Sequence, residues 1–308
     1  DAEDDAPAAA ASPPRIGLEQ LHRVLMNPPR AFLQQGLDLR LPRDEDRLPD
    51  VEPFDGADGL HQHALKSEVF AALCLDPDLD GEILHQRLLR EARIAPGASG
   101  AIQVVETMAS LRAAARQWRE WSQGEAGSRV FELELDGTML SGRLAPVHAA
   151  GLLQFRAGDA HGRNRLPMDI DWLVWSALGE TRPVHRLFAD GDHSPEVFAP
   201  LPPATARARL IELLALYRRA TASALPFMPK AACAYAHSLH SPQHEASAWK
   251  KAQEQWWKRD GTGEGQRADV RLALRGRDPF DDDRGDEAAL FRSLARRVFG
   301  SDGIFARE

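Results

Sequence analysis

Cysteine is scarce. The chain of 308 residues holds two, Cys74 and Cys233, in neither a CxxC pair nor a zinc spacing. That excludes a disulfide framework and fits reduced thiols in a cytoplasmic protein. Long apolar runs are missing too: none approaches the roughly 18 residues that cross a bilayer, so no membrane partner is expected. The N-terminus lacks the basic and apolar regions of a signal peptide. It opens on Asp1 with no methionine, as a piece of a longer protein would. There is no GxxxxGK[ST] phosphate loop, so the chain should not hydrolyse ATP itself. No Ser/His/Asp nucleophile context and no internal repeat are found. Finally, there is no excess of base. Lys and Arg total 38 against 46 Asp and Glu, a formal charge of −8, with acids gathered at Asp1–Asp5 and Asp281–Asp283. A simple basic nucleic-acid coat is thereby excluded, and any DNA contact needs a local patch or a larger assembly.

What is present is globular: 43% hydrophobic and 27% charged, enough for one large or two ordinary domains. Residues 1–14 are acidic, then Ala- and Pro-rich, and are expected to be a disordered linker. Leu18, Leu21, Leu25 and Met26 recur at helical spacing until Pro28-Pro29 interrupts them. A charged, Pro-punctuated connection covers 34–56. Helices are expected within 57–94 and over 101–122, with a turn at Ala95–Gly100 between. The period then changes. Val130–Leu135 (VFELEL) alternates as a half-buried strand should, and Asp136-Gly137 signals a hairpin. Strands at Thr138–Leu144 and Leu152–Phe155, a helix at Asp169–Leu178, and short strands at His185–Phe188 and Val197–Phe198 follow. Helices are expected over 203–224, 229–238, 245–259 and 286–299. The order is helices, a small sheet, then helices, which indicates an α/β core with helical regions on both sides. A boundary near Gly124–Gly127 divides a helical region, 15–125, from an α/β core with C-terminal helices, 126–308.

Several motifs have ordinary readings. Asp76-x-Asp78-x-Asp80-Gly81 resembles the start of an EF-hand loop, but the twelfth position is Arg87 where a bidentate Glu is needed. Asp78 and Asp80 are better read as caps of the next helix. His237, His240 and His244 have ligand-like spacing, broken by Pro242. Arg207, Arg209, Arg218 and Arg219 fit the solvated face of a helix that buries Leu210, Leu213, Leu214 and Tyr217, with pairing to a partner subunit as a second reading. Trp249–Arg259 (WKKAQEQWWKR) interleaves aromatic and cationic groups. It could stack bases and hold phosphates, or be an amphipathic helix with Trp249, Trp256 and Trp257 partly in the core.

The stretch Leu140–Gly158 is the most informative. It reads as two strands, the second carrying Gln154-Phe155-Arg156 where a metal-dependent nuclease would carry Asp-x-Lys. The first carries Leu144-Ala145-Pro146 where a second acid would stand. Magnesium needs hard oxygen ligands. Ala145 offers none, Gln154 a neutral amide, and Arg156 a cation. At an effective dielectric of ~20, each carboxylate about 4 Å from a unit charge contributes roughly 4 kcal/mol, so losing both acids should abolish metal binding. Alone, the segment could equally be ordinary strands.

Other segments, in order along the chain, carry a resemblance. Asn27-Pro28-Pro29-Arg30-Ala31-Phe32-Leu33 resembles an "NPxRxFL" entry helix. Glu52-Pro53-Phe54 resembles an "EPF" element, and Ala95-Pro96-Gly97-x-x-Gly100 an "LPxGxxG" turn. Leu216–Arg219 with Leu225–Lys230 resembles "LYxxG…PLPFFPK", departing at Met228. Leu274–Pro279 with Ala295–Phe299 resembles "RGxDP…F". Together they resemble the C-terminal region of the RecC family, gamma subunits of exodeoxyribonuclease V (the RecBCD helicase–nuclease). Coverage runs from about residue 15 to 300.

The resemblance implies a degenerate PD-(D/E)xK nuclease core that is not catalytic and binds neither metal nor cofactor. It implies a scaffold that docks RecB-like and RecD-like helicase subunits and guides duplex and single-stranded DNA during recombinational repair of double-strand breaks. No strand-separating pin can be located by motif. Expected DNA contacts are Arg156, Arg163 and Arg165 near the former active-site edge, and Lys250, Lys251, Trp256 and Trp257 on the aromatic-basic helix. Two alternatives stay open. One is a living metal-dependent nuclease with a migrated acid such as Asp159, Asp169 or Asp171. The other is a protein-docking domain without DNA contact.

Overall fold

A computed structural model describes residues 13–41, 59–190, 194–239 and 242–307. The expected linker falls outside these residues apart from its last two positions, and so do Glu52-Pro53-Phe54 and His240.

The sheet grows around one long strand. Phe131, Leu133 and Leu135 of β2 (Gly127–Leu135) are buried and alternate with exposed Glu132 and Glu134. The turn at Asp136-Gly137 places both residues at positive φ, 48° and 66°, as a two-residue hairpin of matching twist requires. It leads into β3 (Thr138–His148), which pairs antiparallel with β2 from Leu135↔Thr138 to Gly127↔Val147. The other edge of β3 is shared. Near its start it takes β1 (Arg15–Gly17) in parallel, and at its end it takes β4 (Gly151–Arg156) antiparallel through Val147↔Leu152 and His148↔Gly151. Gly142–Pro146 has no strand partner on that edge among the described residues, so β3 and β4 diverge like a fork. Beyond the fork β4 pairs in parallel with β5 (Val184–Phe188), and β6 (Glu196–Phe198) closes the sheet antiparallel to β5.

Helix α6 (Gly162–Ala177) makes the crossover between β4 and β5. It starts seven residues before the expected Asp169 and runs through Pro167. Its first turns have no apolar period to betray them. The helix is started instead by the His161 side chain, whose Nδ1 accepts the Asn164 N–H at 3.2 Å.

Two hydrophobic cores result. The larger lies between the sheet and α1 (Leu18–Met26), α6, α7 (Pro203–Ala222), α8 (Pro229–Ser238), α9 (Glu245–Trp256), α10 (Ala268–Leu274) and α11 (Asp286–Phe299). The smaller gathers a helix over 59–75, taken as α3, with α4 (Gly81–Arg90) and α5 (Ala98–Trp121), and reaches the sheet through Leu187 and Ala189. There Phe155 stacks on Phe70 with ring centroids 3.5 Å apart. The sheet is covered on both faces at β4 and β5. Residues 15–36 therefore pack with the larger core. By sequence period alone they fall with the helical region before residue 125, because three residues of β1 are too few to show a strand period.

Smaller expectations resolve simply. Asp80 caps α4 by accepting the Glu82 N–H at 2.7 Å, while Asp76, not Asp78, supplies the other turn contact. The face of α7 bearing Leu210, Leu213, Leu214 and Tyr217 is buried. Arg218 reaches Thr138 at 2.6 Å and Arg209 the carbonyl of Ala306 at 2.6 Å. No helix among the described residues is long and apolar enough to cross a membrane.

Candidate nucleic-acid interface

Strand β4 sets two environments on one face. Gln154 is buried, and its amide is used at both ends. Nε2 donates to the Met168 carbonyl of α6 at 3.0 Å, and Oε1 accepts from Arg186 Nε at 3.1 Å. Arg186, on β5, is wholly buried. Its guanidinium lies 2.8 Å from Asp169 and 3.7 Å from Glu196, and its other face covers the Phe198 ring at 5.0 Å. Arg165 grips Glu196 through both oxygens, at 2.5 and 3.0 Å. Arg307 reaches Asp169 at 3.3 Å and Phe198 at 3.9 Å. Burial pushes the Glu196 carboxyl up most strongly, but the Arg165 hydrogen bonds together with the charges of Arg165, Arg186 and Arg307 hold the group below the usual carboxylate range. Three arginines thus enclose two acids, and the cluster is already cationic.

That arrangement bears on the migrated-acid alternative. Asp169 is paired with Arg186 and Arg307, Asp171 with His22 at 3.0 Å, and Asp159 with His161 at 3.2 Å. Among the described residues no three His, Cys, Asp or Glu stand together as a metal would require. A dication beside Asp169 would meet three guanidiniums, so these residues do not fit one. Ala145 is exposed, and no backbone pairing joins it to Gln154, because the β3–β4 ladder stops at Val147↔Leu152. The two positions do not meet on one sheet edge as a hairpin reading would have them.

Two residues on, Arg156 is exposed and opens onto a groove of about 790 Å³ bounded by α1, the next helix α2 (Pro28–Ala31) and the start of α6. Arg23, Arg30, Arg156, Arg163 and Arg267 line it, against one lining carboxylate, Glu19. Two of the five are fixed. Asp269 of α10 is 3.2 Å from Arg267 and 3.4 Å from Arg30, and accepts the Asn27 amide at 2.8 Å. Burial raises the Asp269 pKa most strongly, but Arg267, Asn27 and Arg30 together keep the carboxyl below its ordinary range. Arg23, Arg156 and Arg163 are exposed and make no ion pair with any described residue. Arg23, Arg30 and Arg267 escaped the sequence reading. Arg30 sits in the "NPxRxFL" segment, a signal that could have found it, whereas nothing local ties Arg267 to a helix some 240 residues earlier.

The remaining expected contacts divide. Arg165 is spent on Glu196, on the Ala160 carbonyl at 2.8 Å and on the Phe188 ring, so its charge does not face solvent. Trp256 is fully buried. It packs against Gly265, where any side chain would collide with the indole, and its Nε1 donates to Asp278 at 3.1 Å. Neither Arg165 nor Trp256 is placed to touch DNA. The amphipathic reading of α9 is the one its geometry follows: Trp249 sits between Phe280 and Arg292. Lys250 and Lys251 are exposed, and Trp257 is 41% exposed at the helix end. Both cysteines are free. Burial pushes the Cys233 thiol up to about 12 and the Cys74 thiol up to about 11, which keeps them protonated and unreactive.

With this geometry set out, comparison with known proteins is decisive for ancestry. Residues 13–240 match the family described as the RecC C-terminal domain. The chain belongs to that family. It is also 27% identical over 242 residues to the RecBCD enzyme subunit RecC of Escherichia coli (strain K12), covering 76% of this chain and 20% of that protein. The chain thus spans about a fifth of the length of this curated relative. The family match ends at 240, yet α9, α10 and α11 continue the same core, and Arg267 and Asp269 complete the groove.

Proposed function

We propose that this chain is the non-catalytic, nuclease-derived domain of a RecC-type subunit in a RecBCD-like exodeoxyribonuclease V. In that role it docks RecB-like and RecD-like helicase subunits and guides separated DNA strands in the cytoplasm during recombinational repair. The order α5–β2–β3–β4–α6–β5, with its forked β3 and β4, supports descent from a PD-(D/E)xK core. The carrying observation is the fate of the acid position. Gln154 is built into a cluster whose arginines outnumber its acids, so the residues that would hold a metal hold Arg186 instead. Chemistry then falls to partner chains, and this chain needs no cofactor. Its DNA-facing residues are Arg156 and Arg163, with Lys250, Lys251 and Trp257 on a separate helix.

The test is assembly. The protein carrying this chain, co-expressed with RecB-like and RecD-like subunits from its own organism, should co-purify with both, and the complex should unwind forked DNA. A complex that assembles and unwinds equally well when residues 13–307 are deleted would remove the proposed role.

A further inference from the structure

The arginine groove stands out on a chain that is acidic overall. Uncompensated arginines repel one another, and surface arginines usually find carboxylates. Here five converge on one concavity, and the one buried acid beneath it serves to aim two of them. Such a site stores unfavourable charge that a polyanion would relieve.

Shape and composition narrow the polyanion. The groove is a partly open concavity between α1, α2 and α6, a shape that suits a single chain of phosphates better than the broad convex face of a duplex. Its lining includes no Phe, Tyr or Trp. Aromatic platforms hold single strands by stacking bases. A groove of guanidiniums holds only the backbone, so every sequence binds alike and a moving strand meets no stacking brake. Arg30 and Arg267 are locked by Asp269 and offer fixed forks, while Arg23, Arg156 and Arg163 can follow a strand as it shifts.

Resting on the strand-guiding role proposed above, we infer that this groove is a sequence-independent binding site for the phosphate backbone of single-stranded DNA. Arg23, Arg30, Arg156, Arg163 and Arg267 are its contacts, and Asp269 is a positioning residue.

The experiment measures binding of a labelled thymidine oligonucleotide to the full chain across a salt series, for the parent and for Arg23→Ala/Arg156→Ala/Arg163→Ala. Five phosphate contacts predict a slope of log affinity against log salt of about −3.5, and two contacts about −1.4, at roughly 0.7 per contact for single strands. Affinity at low salt should fall roughly tenfold or more in the triple variant with its melting temperature unchanged. Arg284→Ala, which removes an exposed arginine outside the groove, should leave both quantities as they were. Asp269→Asn should lower affinity while leaving all five arginines in place, a result that charge counting alone does not give. An unchanged slope in the triple variant would overturn the inference. So would equal competition by blunt duplex, or equal displacement by polyglutamate, which would mark the groove as a seat for an acidic protein segment. Metal-dependent cutting by the same preparation would defeat the non-catalytic reading and leave the groove standing. Loss of single-strand binding without cutting would defeat the groove alone.

Discussion

Gln154 and Arg156 lie two residues apart on the same face of β4, and they meet opposite fates. Gln154 is buried, with its amide engaged by Met168 and Arg186. Arg156 is exposed, without an ion pair, at the mouth of a groove. The first belongs to a sealed charge cluster in which every carboxylate is answered by a guanidinium. The second belongs to a cluster of guanidiniums largely unanswered. Polar chemistry inside the sheet holds the fold, and polar chemistry at its edge, at Arg156, lacks ion-pair partners among the described residues. The first cluster holds three arginines against two acids, and the second five arginines against Glu19 in its lining and Asp269 beneath it. What separates them is whether the counter-charge lies in this chain.

The contrast can be broken most forcefully from the inside. Arg186→Met should strand Asp169 against Arg307 alone and cost about 3–5 kcal/mol, read as a lowered denaturation midpoint. Arg156→Ala should stay within about 0.5 kcal/mol of the parent. If both variants melt alike, the distinction between the two clusters fails. A smaller loss, roughly 1–3 kcal/mol, is expected for Gln154→Leu, which removes the side-chain bond to the Met168 carbonyl and leaves the buried Arg186 Nε without its acceptor.

A comparable effect is a pH dependence at the join between the two regions. Burial, then Lys230 and Arg163, lower the His161 pKa to about 4, with Asp159 opposing. The folded state therefore favours neutral His161, which caps α6 as an acceptor. Its contribution is complete above the unfolded value near 6.5 and is lost as pH falls from there toward about 4, on the order of 2 kcal/mol. His185 and His237 shift in the same direction, so the dependence is shared. Depressed carboxyls such as Asp269 and Glu196 act at lower pH, through their own folded values. Urea midpoints between pH 7 and 4.5 should fall less steeply in His161→Asn, which keeps a cap and loses the titration. An unchanged slope would count against a neutral His161.

Local pattern carried much of this fold into the sequence reading. The alternation at Phe131, Leu133 and Leu135, the Asp136-Gly137 turn and the helices at 229–238 and 286–299 all follow from short-range period and turn chemistry. Contacts across the chain did not show. Arg15–Gly17 became a strand because β3 offers it an edge, not because three residues prefer one. Trp256 looked available for stacking until Gly265 and Asp278, distant in sequence, enclosed it. Arg165 looked free until Glu196 arrived on the closing strand. The groove was half legible. Arg156 and Arg163 are legible from the Gln154-Phe155-Arg156 segment and its surroundings, while Arg23, Arg30 and Arg267 are gathered by packing between α1, α2 and the segment before α10.

The central question is whether this chain itself cuts DNA. The direct measurement incubates the purified chain with linear duplex and single-stranded DNA in magnesium or manganese, beside Asp169→Asn. No metal-dependent cleavage by either protein is expected, with single-strand binding retained. Cleavage that co-elutes with the parent chain and disappears in a folded Asp169→Asn would contradict this expectation.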